Sequence, residues 1–102
     1  MATVRGVVNF RVKPGRYAEL FEGIKAVKKV IEKLGATVIV NRQQIGPEVG
    51  NVFVVVAYSD YAAYAKVASH PEFSGLIEAM RNNHNPAWES ITTTLNEEVE
   101  IN

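Results

Sequence analysis

Two histidines and a spaced group of tyrosines are the residues of this sequence best suited to moving protons. His70 stands in "SHPEF" (69–73) and His84 in "NNHNP" (82–86). Imidazole titrates near neutrality and serves as a general base when a partner orients it. Tyr58, Tyr61 and Tyr64 follow at three-residue intervals, and such rings suit the wall of a pocket for a flat organic ligand, with hydroxyls to aim it. His70, Tyr58 and Tyr64 are therefore the candidates for catalysis, and Tyr61 and His84 for ligand contact. Each has a plainer role beside the chemical one. Ser69 and Glu72 stand three apart in a capping-box pattern and Pro71 fits a first helical turn, so "SHPEF" also reads as the restart of a helix with His70 in its first turn. His84 sits among turn formers that stop that helix, where a cation gains from the helix dipole. The tyrosines equally suit packing at the edge of a core.

A second polar set lies on two predicted strands. Arg5, Asn9 and Arg11 alternate with Val4, Val8, Phe10 and Val12 along "TVRGVVNFRV" (3–12), and Asn41 and Gln43 lie in "ATVIVNRQQI" (36–45). Buried polar groups must be paired. These residues either pair across a symmetry axis or line a cavity for a small anionic or carbonyl compound, with arginine supplying forked donors. Asn9, Arg11 and Asn41 join the candidate ligand contacts.

Other chemistries are set aside by what the sequence lacks. Cysteine is absent, which removes disulfides, thiolate metal sites and a cysteine nucleophile. No carboxylate keeps ligand-like spacing with both histidines, so no metal site is expected. The loop "GPEVGN" lacks the Lys-Ser/Thr of a phosphate-binding loop. Eleven basic and eleven acidic residues cancel, leaving no surplus charge for nucleic acid or an anionic membrane. The longest apolar run, "VFVVVAY", is too short to cross a bilayer, and "MATVRGVVNF" has no signal-peptide pattern. A cytoplasmic protein is expected, with neither nucleic-acid nor membrane partners.

The elements that must position these residues follow from periodicity. With 102 residues the chain is expected to form a single domain, 1–102. A strand over 3–12 precedes a turn at "KPG". Tyr17, Leu20, Phe21, Ile24, Val27, Ile31 and Leu34 then keep helical spacing, and Gly35 follows as a left-handed cap. Strands are predicted over 36–45 and 52–58, the second apolar on both faces and so central or covered by a partner. "SDYAAYAKVA" and "PEFSGLIEAMRN" read as one helix broken in two, and 88–101 as a final strand. This β-α-β-β-α-β order predicts an α+β, ferredoxin-like fold, with a four-stranded antiparallel sheet carrying its helices on one face. The other face mixes Val7 and Ile39 with polar residues, and a second subunit is expected against it.

"NFRVKPGRYAELFEGI" resembles the first strand, Lys-Pro-Gly turn and helix of antibiotic-biosynthesis-monooxygenase-like domains. "VFVVVAYSDYAAYAKVASHPEFSGLI" resembles their later strand and helix, with an acidic opener and a Ser-(His/Pro)-x-Phe-like motif. These domains belong to the dimeric α+β barrel superfamily, and the likeness covers residues 3–80. It implies a dimeric α+β barrel and a homodimer. It is compatible with a cofactor-independent monooxygenase acting on a small aromatic or polyketide-like substrate, and no cofactor is expected. The sequence departs from the pattern at "AYSD", where Tyr58 replaces an expected tryptophan. Haem-degrading relatives place a tryptophan on the second helix, and none occurs there. A non-catalytic homodimer that binds a small organic ligand, or a purely structural oligomer, remains the other reading.

Overall fold

Nine residues, Val4–Val12, form β1, and alternation along it decides everything around it. The structure, a computed structural model, describes residues 3–101. Val4 and Phe10 are buried on one side of β1, with Val8 and Val12 packed beside them; Arg5 and Arg11 are exposed on the other. After the turn, α1 spans Tyr17–Lys33 and buries Leu20, Ile24, Val30 and Ile31. Phe21, expected in that stripe, is instead 39% exposed. One residue past Leu20, it is rotated about 100° off the buried line, where its ring leans on Tyr17. Gly35 follows the C-cap with φ +97°, the left-handed geometry that glycine adopts without strain.

β2 covers Thr37–Arg42 and stops short of the predicted residue 45. At Gln43 the chain turns into a loop that its own side chain holds: Gln43 Oε1 accepts the N–H of Glu48 at 2.6 Å. The loop returns at Gly50, whose φ is +92° and where a Cβ would meet the Tyr17 hydroxyl at 3.0 Å. That hydroxyl donates to the Gly50 carbonyl at 2.6 Å, so the loop is pinned to the start of α1. β3, Val52–Tyr58, follows.

Asp60 caps α2 (Tyr61–Ala68) by accepting the N–H of Ala63 at 2.8 Å. α3 runs Pro71–Arg81, so the second helical region is broken in two as predicted. β4, Trp88–Glu97, closes the sheet. It ends before the predicted residue 101: Glu97 pairs with Val4, the first residue of β1, and Glu98 donates its N–H to the Thr3 carbonyl.

The strands lie in the order β2-β3-β1-β4, with every neighbouring pair antiparallel. This is the ferredoxin-like arrangement. Val52, Val54, Val56 and Tyr58 of β3 meet α1 and α2 in one core; each fully buried Val, Leu or Ile there contributes about 1.5–3 kcal/mol. The shortest dimension of the molecule is 17 Å. That admits one sheet and one helix layer, which pack about 10 Å apart. The second face of the sheet therefore has no layer of its own. Val7, Phe53, Val55 and Ala57 are only half-buried there, and Ile39 is 55% exposed.

Candidate functional site

Between the helices and the β1–β4 half of the sheet lies a cavity of about 620 Å³, within the range of small-molecule sites. It exists because the sheet is thin there and α3 stands off. Gly6 of β1 presents no side chain, and Thr93 of β4 only a small one. Phe73, Ile77 and Met80 recur at i, i+4 and i+7 along α3 and point at the gap, yet no residue of α3 is fully buried. Phe10 and Trp88 form one wall, with ring centroids 5.5 Å apart and nearly edge-to-face. The entry of β4 into this wall is set by Arg16, whose guanidinium holds the carbonyls of Asn85 (2.8 Å) and Pro86 (3.2 Å).

Two tyrosines supply hydroxyls to this apolar space. Tyr58 ends β3 and Tyr64 lies one helical turn after the Asp60 cap; their rings meet edge-to-face at 5.4 Å. Both line the cavity. Neither hydroxyl has a hydrogen-bond partner among the described residues, and no fully enclosed side-chain polar atom there lacks one, so both keep some access to solvent or ligand. Burial, and secondarily Tyr64, pushes the Tyr58 hydroxyl above its ordinary pKa. It is therefore a protonated donor at neutral pH. Arg81 and Asn83 stand at the other end, where α3 finishes.

The remaining sequence candidates lie elsewhere. His70 is itself the N-cap of α3: its Nδ1 accepts the N–H of Glu72 at 3.2 Å. Ser69, expected to fill that role, closes α2 instead by donating to the Ala65 carbonyl at 2.7 Å. The reason is local: Pro71 has no N–H to offer and forces His70 into extended backbone, which puts the imidazole in the capping position. His84 is exposed in the turn after α3 and does not line the cavity. Tyr61 turns away from Tyr64 and donates to Glu97 at 2.8 Å, a bond that raises its pKa. Asn9, Arg11 and Asn41 lie on the opposite face of the sheet, as the β1–β3 and β2–β3 registers require. There Arg11 pairs with Glu89 at 3.3 Å. Asn9 donates to Glu48 and accepts from Asn51. Arg5 reaches Glu98 at 3.7 Å, while Gln43 is spent on its loop.

Gly6, Arg81, Trp88 and Thr93 complete the cavity without having been marked by the sequence reading. One signal was there: an isolated glycine within a strand pattern often marks a close approach or a space to be filled. Among the described residues no group of three His, Asp or Glu side chains is placed to hold a metal. No helix among them is long and apolar enough to cross a membrane.

Solved structures with this arrangement are numerous. SnoaB from Streptomyces nogalater, a cofactor-independent oxygenase, superposes with a TM-score of 0.75 at 16% identity, over 97% of this chain and 95% of that one. A DABB family protein with a ferredoxin-like fold from Mesorhizobium loti gives 0.73 at 21%, over 98% and 100%. A Caulobacter crescentus protein put forward as an antibiotic biosynthesis monooxygenase gives 0.75 at 17%, over 97% and 92%. The chain has their fold. The resemblance read from "NFRVKPGRYAELFEGI" and "VFVVVAYSDYAAYAKVASHPEFSGLI" thus extends to the whole architecture. No protein-family model and no curated protein matches the sequence.

Proposed function

We propose that the protein is a cytoplasmic homodimer that works as a cofactor-independent monooxygenase on a small aromatic or polyketide-like substrate held in the helix-side cavity. The observation that carries this reading is the cavity itself, apolar, about 620 Å³, with the Tyr58 and Tyr64 rings packed edge-to-face in its lining. Its walls bind and flatten a ring system against Phe10 and Trp88. Tyr58, protonated at neutral pH, donates to a carbonyl or phenolate oxygen of the substrate and stabilises its enolate or carbanion form. Such an electron-rich carbon reacts with dioxygen directly. A methylene becomes a ketone with one oxygen atom, and the other leaves as water with both methylene hydrogens. The four electrons given up by carbon equal the four taken up by dioxygen. A fold shared with a cofactor-independent oxygenase supports the reading.

Homodimerisation is the companion proposal. The apolar centre of the uncovered sheet face, with Val7, Ile39, Phe53 and Val55, suits a second copy related by a two-fold axis.

One observation favours a different role. Among the described residues no histidine, aspartate or glutamate lines the cavity, which suits a protein that binds its ligand without deprotonating it. An oxygen electrode separates the two. An anthrone, whose methylene is already acidic, should be consumed with one dioxygen per molecule, faster with the protein than without it. Binding with no added oxygen uptake would leave the carrier role and overturn the oxygenase.

A further inference from the structure

We propose, on the reading that the cavity is a ligand site, that Arg81 makes it selective for elongated ring systems bearing a carboxylate at one end. Four arginines among the described residues are engaged within the chain: Arg5 with Glu98, Arg11 with Glu89, Arg16 with Glu19 and the Asn85 carbonyl, and Arg42 over the Tyr17 ring. Arg81 has no carboxylate, carbonyl or aromatic partner among those residues. Among the described residues it is also the one charged residue lining the cavity. A helix C-terminus favours a basic residue, which accounts for a cation in the last turn of α3. It does not account for an arginine that is exposed, has no partner among the described residues and still borders an acid-free, apolar space.

The shape of the cavity fixes where the anion lies relative to the rings. Tyr58 pairs with Val4 at one end of β1, and Trp88 pairs with Val12 at the other. The lining residues of β1 run from Gly6 to Phe10, a span of about 13 Å at 3.3 Å per residue. Tyr58 and Tyr64 stand at the Gly6 end. Arg81 and Asn83 stand near Trp88 at the Phe10 end, because α2 and α3 carry the chain from the end of β3 to the start of β4. Two or three fused rings fill that length. A guanidinium presents paired N–H donors that match a carboxylate, so an acid on the long axis of the rings meets Arg81 while its far end meets the tyrosines.

The experiment is fluorescence titration with anthracene-2-carboxylate and with anthracene-2-carboxamide, a neutral molecule of the same shape, against wild type, Arg81→Gln and Arg81→Lys. The wild type should hold the carboxylate about tenfold more tightly, the order expected of one charge-assisted hydrogen-bonded pair. Arg81→Gln should bind the two compounds within about twofold of each other, and its retained binding of the carboxamide shows that the cavity is intact. Arg81→Lys should restore part of the preference. Equal binding of both compounds by the wild type would overturn the selectivity and leave the cavity reading standing, as would a preference unchanged in Arg81→Gln. Binding of neither compound would overturn both.

Discussion

The two faces of the sheet are made by the same four strands and differ in what their polar groups do. On the face away from the helices, Arg5, Asn9 and Arg11 are tied to Glu98, Glu48 and Glu89 of the same chain, and the centre between them is apolar and half-covered. On the helix side, Tyr58, Tyr64 and Arg81 have no partners among the described residues and share a space. A polar group already satisfied at a rim helps orient a neighbour. One without a protein partner beside an apolar space is free to meet a ligand. The contrast supports the proposed division, with the first face for a second copy of the chain and the second for a small molecule. β3 shows it residue by residue: Val54 and Val56 are buried under helices, while Phe53 and Val55 between them have only flanking side chains for cover.

The largest way to break this division is Val55→Asp. A carboxylate placed in a sheet-on-sheet contact, once per copy, costs roughly 3–5 kcal/mol when it has no partner. The variant should elute as a monomer in size-exclusion chromatography with light scattering while its helix-side cavity still binds. An unchanged oligomeric state would show that the face is not the contact.

Gly6→Val attacks the other side. A Cβ at Gly6 meets the Tyr58 ring at 3.6 Å and Leu95 at 4.0 Å, ordinary contacts, and valine suits a strand. The added methyls occupy cavity space, so affinity for a ring ligand should fall by about tenfold or more, with the melting temperature held or raised. Loss of stability instead would mean that Gly6 is needed by the backbone and not by the ligand.

These two variants also mark how far the sequence could be read. Alternation put Val4, Val8, Phe10 and Val12 on one face of β1 and Arg5, Asn9 and Arg11 on the other, because a strand has only two sides. The order of elements followed from changes of period. The cavity did not, since periodicity assigns a residue to a face of its own element and says nothing of how far apart two elements stand. Trp88 was legible as a strand residue; that it walls a cavity depends on Arg16 fixing the entry to β4. Tyr61 and Tyr64 share a helix face by spacing, but Glu97, distant in sequence, takes the Tyr61 hydroxyl. His70 was legible as punctuation, though the capping atom is its own Nδ1 rather than the hydroxyl of Ser69.

His70→Ala sharpens the comparison from outside both faces. Loss of an N-cap acceptor costs about 0.5–2 kcal/mol, read as a lower midpoint in urea, while ligand affinity stays at the wild-type value. A collapse of binding with the fold intact would return His70 to the site.

The smallest effect is one of pH. Tyr58 has a folded-state pKa above its ordinary 10.0, so its contribution is fully present below that value. It is lost as pH rises, because the unfolded chain gives up the proton first and the native state follows only at the raised value. Tyr58→Phe should therefore lose less stability than wild type between pH 10 and 11, measured by denaturant midpoint. Parallel curves would show that the hydroxyl is not confined as the cavity requires.

Native mass spectrometry in the presence of anthracene-2-carboxylate reads both faces at once, the one proposed for a second copy and the one proposed for a ligand. The expected species is twice the 11.3 kDa chain carrying two ligands, one for each helix-side cavity. A dimer that takes up a single ligand would place the molecule on the two-fold axis at the sheet face, and a bare monomer would leave that face without its partner; either result contradicts the division.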